Sequence, residues 1–115
     1  FITKAEIIQN AKVINNNICL AYTKTETDNI NIVIAQAADE LLNIKEVEAS
    51  FVLARKDDRV FISARSLGNI NVHVLMENLG GGGHRDMAGA QLDTSLEKAY
   101  EMVKDTIQTY IKEEE

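Results

Sequence analysis

Hydrophobic positions along this chain recur with two different spacings, and each spacing predicts a different kind of element. In four segments the apolar residues are three or four positions apart, which places their side chains on one face of a helix. These segments cover residues 3–15, 31–42, 71–79 and 95–112. Two of them contain a threonine followed three residues later by a glutamate, and this spacing favours capping boxes formed by Thr3 with Glu6 and by Thr94 with Glu97.

Between the helical segments, short apolar runs predict strands at residues 18–22, 48–55, 60–65 and 88–92. The second and third runs are joined by Lys56-Asp57-Asp58-Arg59, a sequence typical of a tight hairpin. Apolar residues alternate with other residues in the third run, starting from Val60. We expect the apolar set to face the core, so that Ser63 and Arg65 point to the opposite face of the sheet.

A hairpin among helix-linked strands predicts a sheet with both parallel and antiparallel neighbours. We therefore expect a single α/β domain with a mixed sheet of four to five strands flanked by helices. The length of 115 residues fits one domain, and 45% hydrophobic residues suffice for an ordinary core. The one cysteine, Cys19, lies in an apolar run and is interpreted as a buried core residue.

The charge of the chain restricts its partners. A net charge of −6 argues against binding of long nucleic acids, which depends on a broad basic surface. No apolar stretch is long enough to span a membrane, so we expect no membrane contact by these residues. The basic residues are nevertheless concentrated, and the predicted local group consists of Arg55, Lys56, Arg59, Arg65 and Arg85. Such a group in an acidic chain suits a small anionic ligand.

The strongest candidate for chemistry is the run of four glycines at residues 80–83, followed directly by His84. Consecutive glycines occur where the backbone must adopt positive φ or approach a ligand closely. Their N–H groups can converge on a phosphate, and a histidine adds a donor that is neutral or charged near neutral pH. The alternative is a flexible connector. The apolar residues on both sides and the absence of serines favour ligand contact.

A second candidate site lies at the end of the predicted strand 60–65. Ligands of α/β sheets bind where strands end, and the guanidinium of Arg65 and the hydroxyl of Ser66 both suit a phosphate. A solvated surface cation is the open alternative for Arg65. His73 lies on the predicted outer side of its helix and is interpreted as a surface residue. Asp86 either orients the imidazole of His84 or is simply exposed, and the sequence leaves both open.

Two features of hydrolytic enzymes are absent from the sequence. Metal-assisted phosphodiester hydrolysis needs clustered aspartate and histidine ligands, whereas this chain has two separated histidines, His73 and His84. No lysine followed by serine or threonine comes after the glycines, so the Walker pattern is missing. The sequence therefore predicts a chain that holds a phosphorylated ligand and does not cleave it alone.

These residues resemble a known family. The string Leu79-Gly80-Gly81-Gly82-Gly83-His84, followed by Ala88-Gly89, is similar to the glycine-histidine signature of the DHH-associated domain, the C-terminal substrate-binding half of DHH-family phosphoesterases. The string Ile62-Ser63-Ala64-Arg65-Ser66, with Ile70-Asn71-Val72, resembles the GdpP-type cyclic di-AMP phosphodiesterases in particular. The resemblance extends over residues 18–92. Met87 departs from the family pattern, which usually has alanine there, and is expected to pack beneath the loop.

The resemblance implies a division of labour between two domains. Residues 1–16 would be a connector helix from an upstream DHH domain, which would bind manganese and activate the water, and residues 17–115 would be the substrate-binding domain. This chain would need no cofactor of its own. Arg65 and Ser66 would bind phosphate, and His84 would contact the phosphate and assist catalysis. The implied substrate-binding residues are Arg65, Ser66, Asn71, Gly81, Gly82, Gly83 and His84.

The implied reaction is hydrolysis of cyclic di-AMP to linear di-adenylate. The partners would be that small nucleotide, or a short oligoadenylate, and the DHH domain in cis. The domain would lie in the cytoplasm, in a full-length protein anchored to the membrane elsewhere. Two alternatives stay open: the same domain of a nano-RNA or phosphoadenosine phosphatase, and a stand-alone nucleotide-binding module.

Overall fold

The computed structural model describes residues 2–114. The helices are α1 (Ile2–Asn10), α2 (Ile30–Leu41), α3 (Val72–Glu77) and α4 (Leu96–Glu114). The strands are β1 (Lys12–Ile14), β2 (Ile18–Thr23), β3 (Ala49–Lys56), β4 (Arg59–Ser66), β5 (Gly82–His84) and β6 (Met87–Leu92). The four predicted helices and four predicted strands are present, and β1 and β5 are two short strands that the pattern did not predict.

The strands form one mixed sheet in the order β1-β2-β3-β4-β6-β5. Strands β2 and β3 are parallel and are connected through α2, whereas the other neighbouring pairs are antiparallel. Asp57 and Asp58 form the predicted turn between β3 and β4, with φ of 53° and 65°. The predicted class, a single α/β domain with a mixed sheet, is confirmed. The sheet has six strands rather than four to five.

Helices cover the sheet on both sides and create two buried clusters. On the side of α1 and α2, which we call the α2 face, the cluster includes Ile7, Ile34 and Val52. On the side of α3 and α4, the α4 face, the cluster includes Ile62 and the helix residues packed on it. Val60, Ile62 and Ala64 face the α4 side, as their alternation predicts. Ser63 and Arg65 consequently point to the α2 face.

The first helix ends earlier than its hydrophobic pattern predicts. Helix α1 stops at Asn10, and residues 12–14 form β1, which pairs antiparallel with β2. Asn15 and Asn16 make the turn with φ of 55° and 67°, a conformation that asparagine tolerates better than most residues. The predicted helix over residues 3–15 is therefore wrong beyond Asn10.

Both predicted capping boxes are wrong. Glu6 lies inside α1 and accepts a 2.6 Å hydrogen bond from the hydroxyl of Thr23 on β2, so it joins the helix to the sheet. At α4, the hydroxyl of Ser95 accepts a hydrogen bond from the N–H of Lys98 at 3.1 Å. Ser95 rather than Thr94 is therefore the N-cap, because its oxygen reaches the third residue of the helix.

Two further expectations concern burial and membranes. Cys19 is fully buried on the α2 face, as predicted, and burial raises the pKa of its thiol. Among residues 2–114, no helix combines the length and the apolar character that crossing a membrane requires.

Candidate functional site

A groove lies on the α2 face of the sheet, beside helix α2. The helix packs over β3 and β4, whereas the same face of β6 and β5 borders open space. The groove has a volume of about 460 Å³, which is within the range of small-molecule sites. Its lining residues include Asn31, Phe61, Ser63, Gly89 and Gln91.

Strand register explains which residues form the floor of this groove. Residues directly opposite each other on antiparallel strands point to the same face, so the pairing of β4 with β6 and of β6 with β5 defines cross-strand rows. The middle row is Ser63, Gly89 and Gly82. The rows on either side of it are Arg65, Met87 and His84, and then Phe61 and Gln91. A row of small residues therefore lies between two rows of large ones, which makes the floor concave.

Glycine occupies positions 81, 82 and 83 for different structural reasons. A Cβ at Gly81 would lie 2.1 Å from the carbonyl oxygen of Gly89, and one at Gly83 would lie 2.5 Å from that of Met87. Those glycines are therefore needed for chain packing. A Cβ at Gly82 would meet no atom within 4 Å, and its φ is not in the left-handed region. Gly82 thus leaves backbone uncovered beside the groove without any requirement from the fold.

The glycine run does not form the expected nest of free N–H groups along its whole length. The N–H of Gly80 donates to the carbonyl of Glu77, and that of Gly81 donates to the carbonyl of Met76 at 2.8 Å. These bonds close the C-terminal end of α3. The next three residues, 82–84, form the edge strand β5, so Gly80 and Gly81 line the groove without offering it a free N–H group.

Arg65 lies on the α2 face beside the groove and is engaged by α2. Its Nε is 3.0 Å from Oδ1 of Asp39, and its Nη1 donates to the carbonyl of Ala64 at 3.0 Å. The side chain is only 12% exposed, whereas that of Asp39 is 62% exposed. Asp39 therefore holds the guanidinium at the rim of the groove. The remaining Nη2 makes no hydrogen bond within the described residues.

The two histidines lie on opposite faces of the sheet. His84 is exposed at the end of β5 and points to the α2 face, in the row of Arg65 and Met87. His73 lies on α3, which packs on the α4 face, and its Nε2 is 3.4 Å from a carboxylate oxygen of Glu77. Its side chain is 40% exposed, so the surface interpretation of His73 is confirmed.

Of the predicted site residues, Gly81 lines the groove, Arg65, Gly82 and His84 lie beside it on the α2 face, and Ser66 and Asn71 lie away from it. Ser66 is buried on the α4 face, and its hydroxyl accepts a hydrogen bond from the N–H of Gly68 at 2.9 Å. Asn71 is the N-cap of α3, where its side chain accepts hydrogen bonds from the N–H groups of His73 and Val74. Each side chain therefore has a local structural partner, and its role in ligand binding stays a prediction.

Met87 and the predicted basic group also differ from expectation. Met87 is 52% exposed and does not pack beneath the loop, because its position in β6 points it outward on the α2 face. The five cations do not converge on one pocket, and each is held separately. Arg55 pairs with Asp58, Lys56 donates to the carbonyl of Asp28, Arg59 pairs with Asp93, Arg65 pairs with Asp39, and Arg85 donates to the carbonyl of Gly68.

The residues present do not suit a metal ion. Within residues 2–114, no three histidine, cysteine, aspartate or glutamate side chains are close enough together to hold one. Beside the groove, the α2 face carries His84 and the carboxylate of Asp39, which already contacts Arg65. This part of the α2 face combines exposed backbone at Gly82, an oriented guanidinium and an exposed imidazole, which are donors that suit an anion.

Sequence reasoning missed the residues that α2 and β6 contribute. Asn31, Ala35 and Asp39 are four residues apart on α2, which places them on one helix face. Asn31 lines the groove, and Asp39 holds Arg65 beside it. The sequence shows this spacing as a stripe of polar and small residues on one helix face. It does not show which strands that stripe would face. Gln91 was likewise visible only as a polar residue in a strand.

The fold and the groove define a class of protein: an α/β domain with a small-molecule-sized groove on an open face of its mixed sheet. Comparison with known proteins is more specific. The profile of the DHHA1 domain matches residues 15–113, and the chain belongs to this family. The resemblance found in the sequence motifs is therefore confirmed.

Curated relatives match almost the whole chain. It is 43% identical over 116 residues to the cyclic-di-AMP phosphodiesterase GdpP of Bacillus subtilis, covering 97% of this chain and 18% of that protein. It is 36% identical over 116 residues to the cyclic-di-AMP phosphodiesterase PdeA of Listeria monocytogenes, covering 99% of this chain and 18% of that protein. The chain thus spans less than a fifth of the relatives it matches.

Solved structures share the fold. An exopolyphosphatase-related protein from Bacteroides fragilis superposes with a TM-score of 0.82 at 23% identity, covering 94% of this chain and 34% of that one. A pGpG-specific phosphodiesterase, PggH from Vibrio, superposes with a TM-score of 0.64 at 20% identity, covering 95% of this chain and 37% of that one. At these identities the likeness shows the architecture alone.

Proposed function

We propose that this chain is the substrate-binding domain of a manganese-dependent phosphodiesterase that hydrolyses cyclic di-AMP to linear di-adenylate. The observation that carries the proposal is the concave floor at Gly82 and Gly89, flanked by Arg65 and His84. The identity of 36–43% to cyclic-di-AMP phosphodiesterases over nearly the whole chain supports the choice of substrate.

Each of the three residues that we propose to contact the phosphate has a distinct task. The missing side chain at Gly82 lets a phosphate approach the strand backbone closely. Arg65 donates to a phosphate oxygen through its Nη2, while Asp39 keeps the guanidinium from rotating away. His84, at the free edge of the sheet, donates to the same phosphate from the other side and assists catalysis as negative charge develops.

The chemical step belongs to a domain outside these residues. We propose that a DHH domain in cis holds manganese ions, which would supply the activated water when bound, and that this chain presents the nucleotide to it. The full-length protein would be membrane-anchored with this domain in the cytoplasm, and fractionation of cells expressing it tests that placement. A phytoplasma relative, 41% identical over 80 residues, is named a membrane protein fused to a ribosomal subunit.

The two histidines provide the sharpest test of this proposal. In the full-length protein, His84→Ala should reduce turnover of cyclic di-AMP by about 10²–10³-fold, the usual effect of losing a preorganised donor to a developing charge. His73→Ala should stay near wild type, since its side chain lies on the opposite face. Steady-state kinetics at saturating manganese measure both effects.

Melting curves provide the folding control, because both histidines are at least partly exposed and neither change should alter stability by more than about 0.5 kcal/mol. Equal effects of the two substitutions, or a harmless His84→Ala, would contradict the assignment of the groove. A wild-type protein that cleaves short oligoadenylates and leaves cyclic di-AMP intact would favour the nano-RNA phosphatase alternative.

A further inference from the structure

The end of the groove opposite Arg65 carries a different chemistry. There, Phe61 on β4 and Gln91 on β6 form one cross-strand row on the α2 face. Asn31, in the first turn of α2, lines the same end of the groove. One aromatic ring and two side-chain amides therefore meet where the phosphate-binding groups do not reach.

The amide of Gln91 is held in a defined orientation. Nη1 of Arg59 donates to Oε1 of Gln91 at 2.8 Å, and Nε of the same arginine is 2.9 Å from Oδ1 of Asp93. Because its oxygen is engaged by Arg59, Gln91 has its Nε2 hydrogens left to donate. It is thus a positioned donor at the wall of the groove.

The amide of Asn31 is free to pair with a ligand. Its side chain is exposed and forms no hydrogen bond within residues 2–114, although it lines the groove. A carboxamide offers one acceptor and two donors in a plane, and asparagine or glutamine uses them to make two hydrogen bonds with the amino group and a ring nitrogen of adenine. The half-buried ring of Phe61 offers an apolar surface on which a base can stack.

We infer that this end of the groove is an adenine subsite, in which Asn31 reads the amino edge of the base, Gln91 donates to it and Phe61 supports the ring. The inference rests on the proposed function, since it assigns the base of the nucleotide whose phosphate lies between Arg65 and His84. Phe61 and Arg65 are four residues apart on one strand, so the two ends are about 13 Å apart. One nucleotide in an extended conformation fits along that length.

Binding of AMP and IMP to the full-length protein tests the subsite. IMP differs from AMP by replacement of the amino group, so the wild type should bind AMP more tightly. Asn31→Ala should weaken AMP binding by about 10- to 100-fold, the usual range for loss of a bidentate base contact, and should remove the preference for AMP over IMP. Isothermal titration with each nucleotide measures both quantities.

Two variants complete the design. Gln36→Ala, an exposed carboxamide on the same helix, should leave both affinities unchanged. Phe61→Leu keeps an apolar side chain against α2 but removes the ring, and it should weaken AMP and IMP equally. Equal binding of AMP and IMP by the wild type, or an unchanged preference in Asn31→Ala, would overturn the subsite.

The same experiment separates this inference from the proposed function. A wild-type protein that hydrolyses cyclic di-AMP but does not bind AMP selectively would retain the proposed function and overturn the subsite. A protein that prefers AMP through Asn31 but does not hydrolyse cyclic di-AMP would retain the subsite and overturn the proposed reaction.

Discussion

Gly81 and Gly82 are adjacent, yet the structure makes opposite demands on them. The α-carbon of Gly81 lies so close to β6 that a methyl group would overlap the carbonyl of Gly89. The α-carbon of Gly82 faces open space on the α2 face beside the groove, where an added methyl group would meet no atom of the described residues within 4 Å. Single-methyl substitutions therefore distinguish glycine kept for packing from glycine kept for a ligand.

We expect Gly82→Ala to lower turnover of cyclic di-AMP in the full-length protein by about 10- to 100-fold, because the methyl group displaces the phosphate from the strand. Its free energy of unfolding should change by less than about 1 kcal/mol, since its φ suits alanine. Kinetics together with chemical denaturation measure the two effects. Full turnover in Gly82→Ala would show that the ligand does not approach this backbone.

Gly81→Ala is the matched comparison for that experiment. The overlap with backbone atoms of Gly89 and Ala90 cannot be relieved by rotation of a side chain. We expect a loss of about 2 kcal/mol or more in the free energy of unfolding, in the range of overpacked interiors. A Gly81→Ala protein as stable as Gly82→Ala would contradict the described path of this loop.

At the scale of elements, the helix caps illustrate the limit of local motifs. The segment Thr94-Ser95-Leu96-Glu97-Lys98 offers two candidate N-caps one residue apart, and the glutamate at position 97 favours Thr94 as the first residue of a capping box. In the structure α4 begins at Leu96, which packs against the cluster of the α4 face. The helix start follows that packing, and Ser95 becomes the cap.

We therefore expect Ser95→Ala to destabilise the domain by about 1 kcal/mol, because a helix N–H loses its side-chain acceptor. Thr94→Ala should cost much less, since α4 starts two residues beyond it. Urea denaturation of both variants measures the difference. A larger loss for Thr94→Ala would place the cap where the sequence motif predicts it.

The long elements could be predicted from the sequence, whereas the short strands could not. Helices α2 and α4 and strands β3 and β4 contain enough residues for a period to be visible. Strands β1 and β5 have three residues each, and each pairs with one neighbour at an edge of the sheet. Hydrogen bonds to the partner strand, rather than a pattern of their own, define them.

At the scale of the whole molecule, strand order assembles the groove. Strand β6 lies between β4 and β5, although β5 precedes it in the chain. This order places Arg65 and His84, 19 residues apart in sequence, in one row on one face. It also leaves β6 and β5 beyond the part of the sheet over which α2 packs, so that the groove stays accessible.

The same architecture predicts how the isolated chain behaves. Its described residues offer no cluster of metal ligands, so we expect the purified 115-residue chain to hydrolyse no cyclic di-AMP even with manganese present. The full-length protein should hydrolyse it under the same conditions. Chromatographic detection of linear di-adenylate measures both. Manganese-dependent turnover by the isolated chain, with contaminating enzymes excluded, would contradict the division of labour.

The sequence alone determined the class of the fold, the family, and the candidates Arg65 and His84, because hydrophobic periods and short motifs are local properties. Tertiary structure decided which candidates meet. Arg65 and Ser66 are adjacent in the chain, yet the alternation of a strand sends them to opposite faces. Only the pairing of β4, β6 and β5 and the position of α2 bring Asn31 and Gln91 to the groove and Asp39 to Arg65, because contacts between distant segments leave no local pattern.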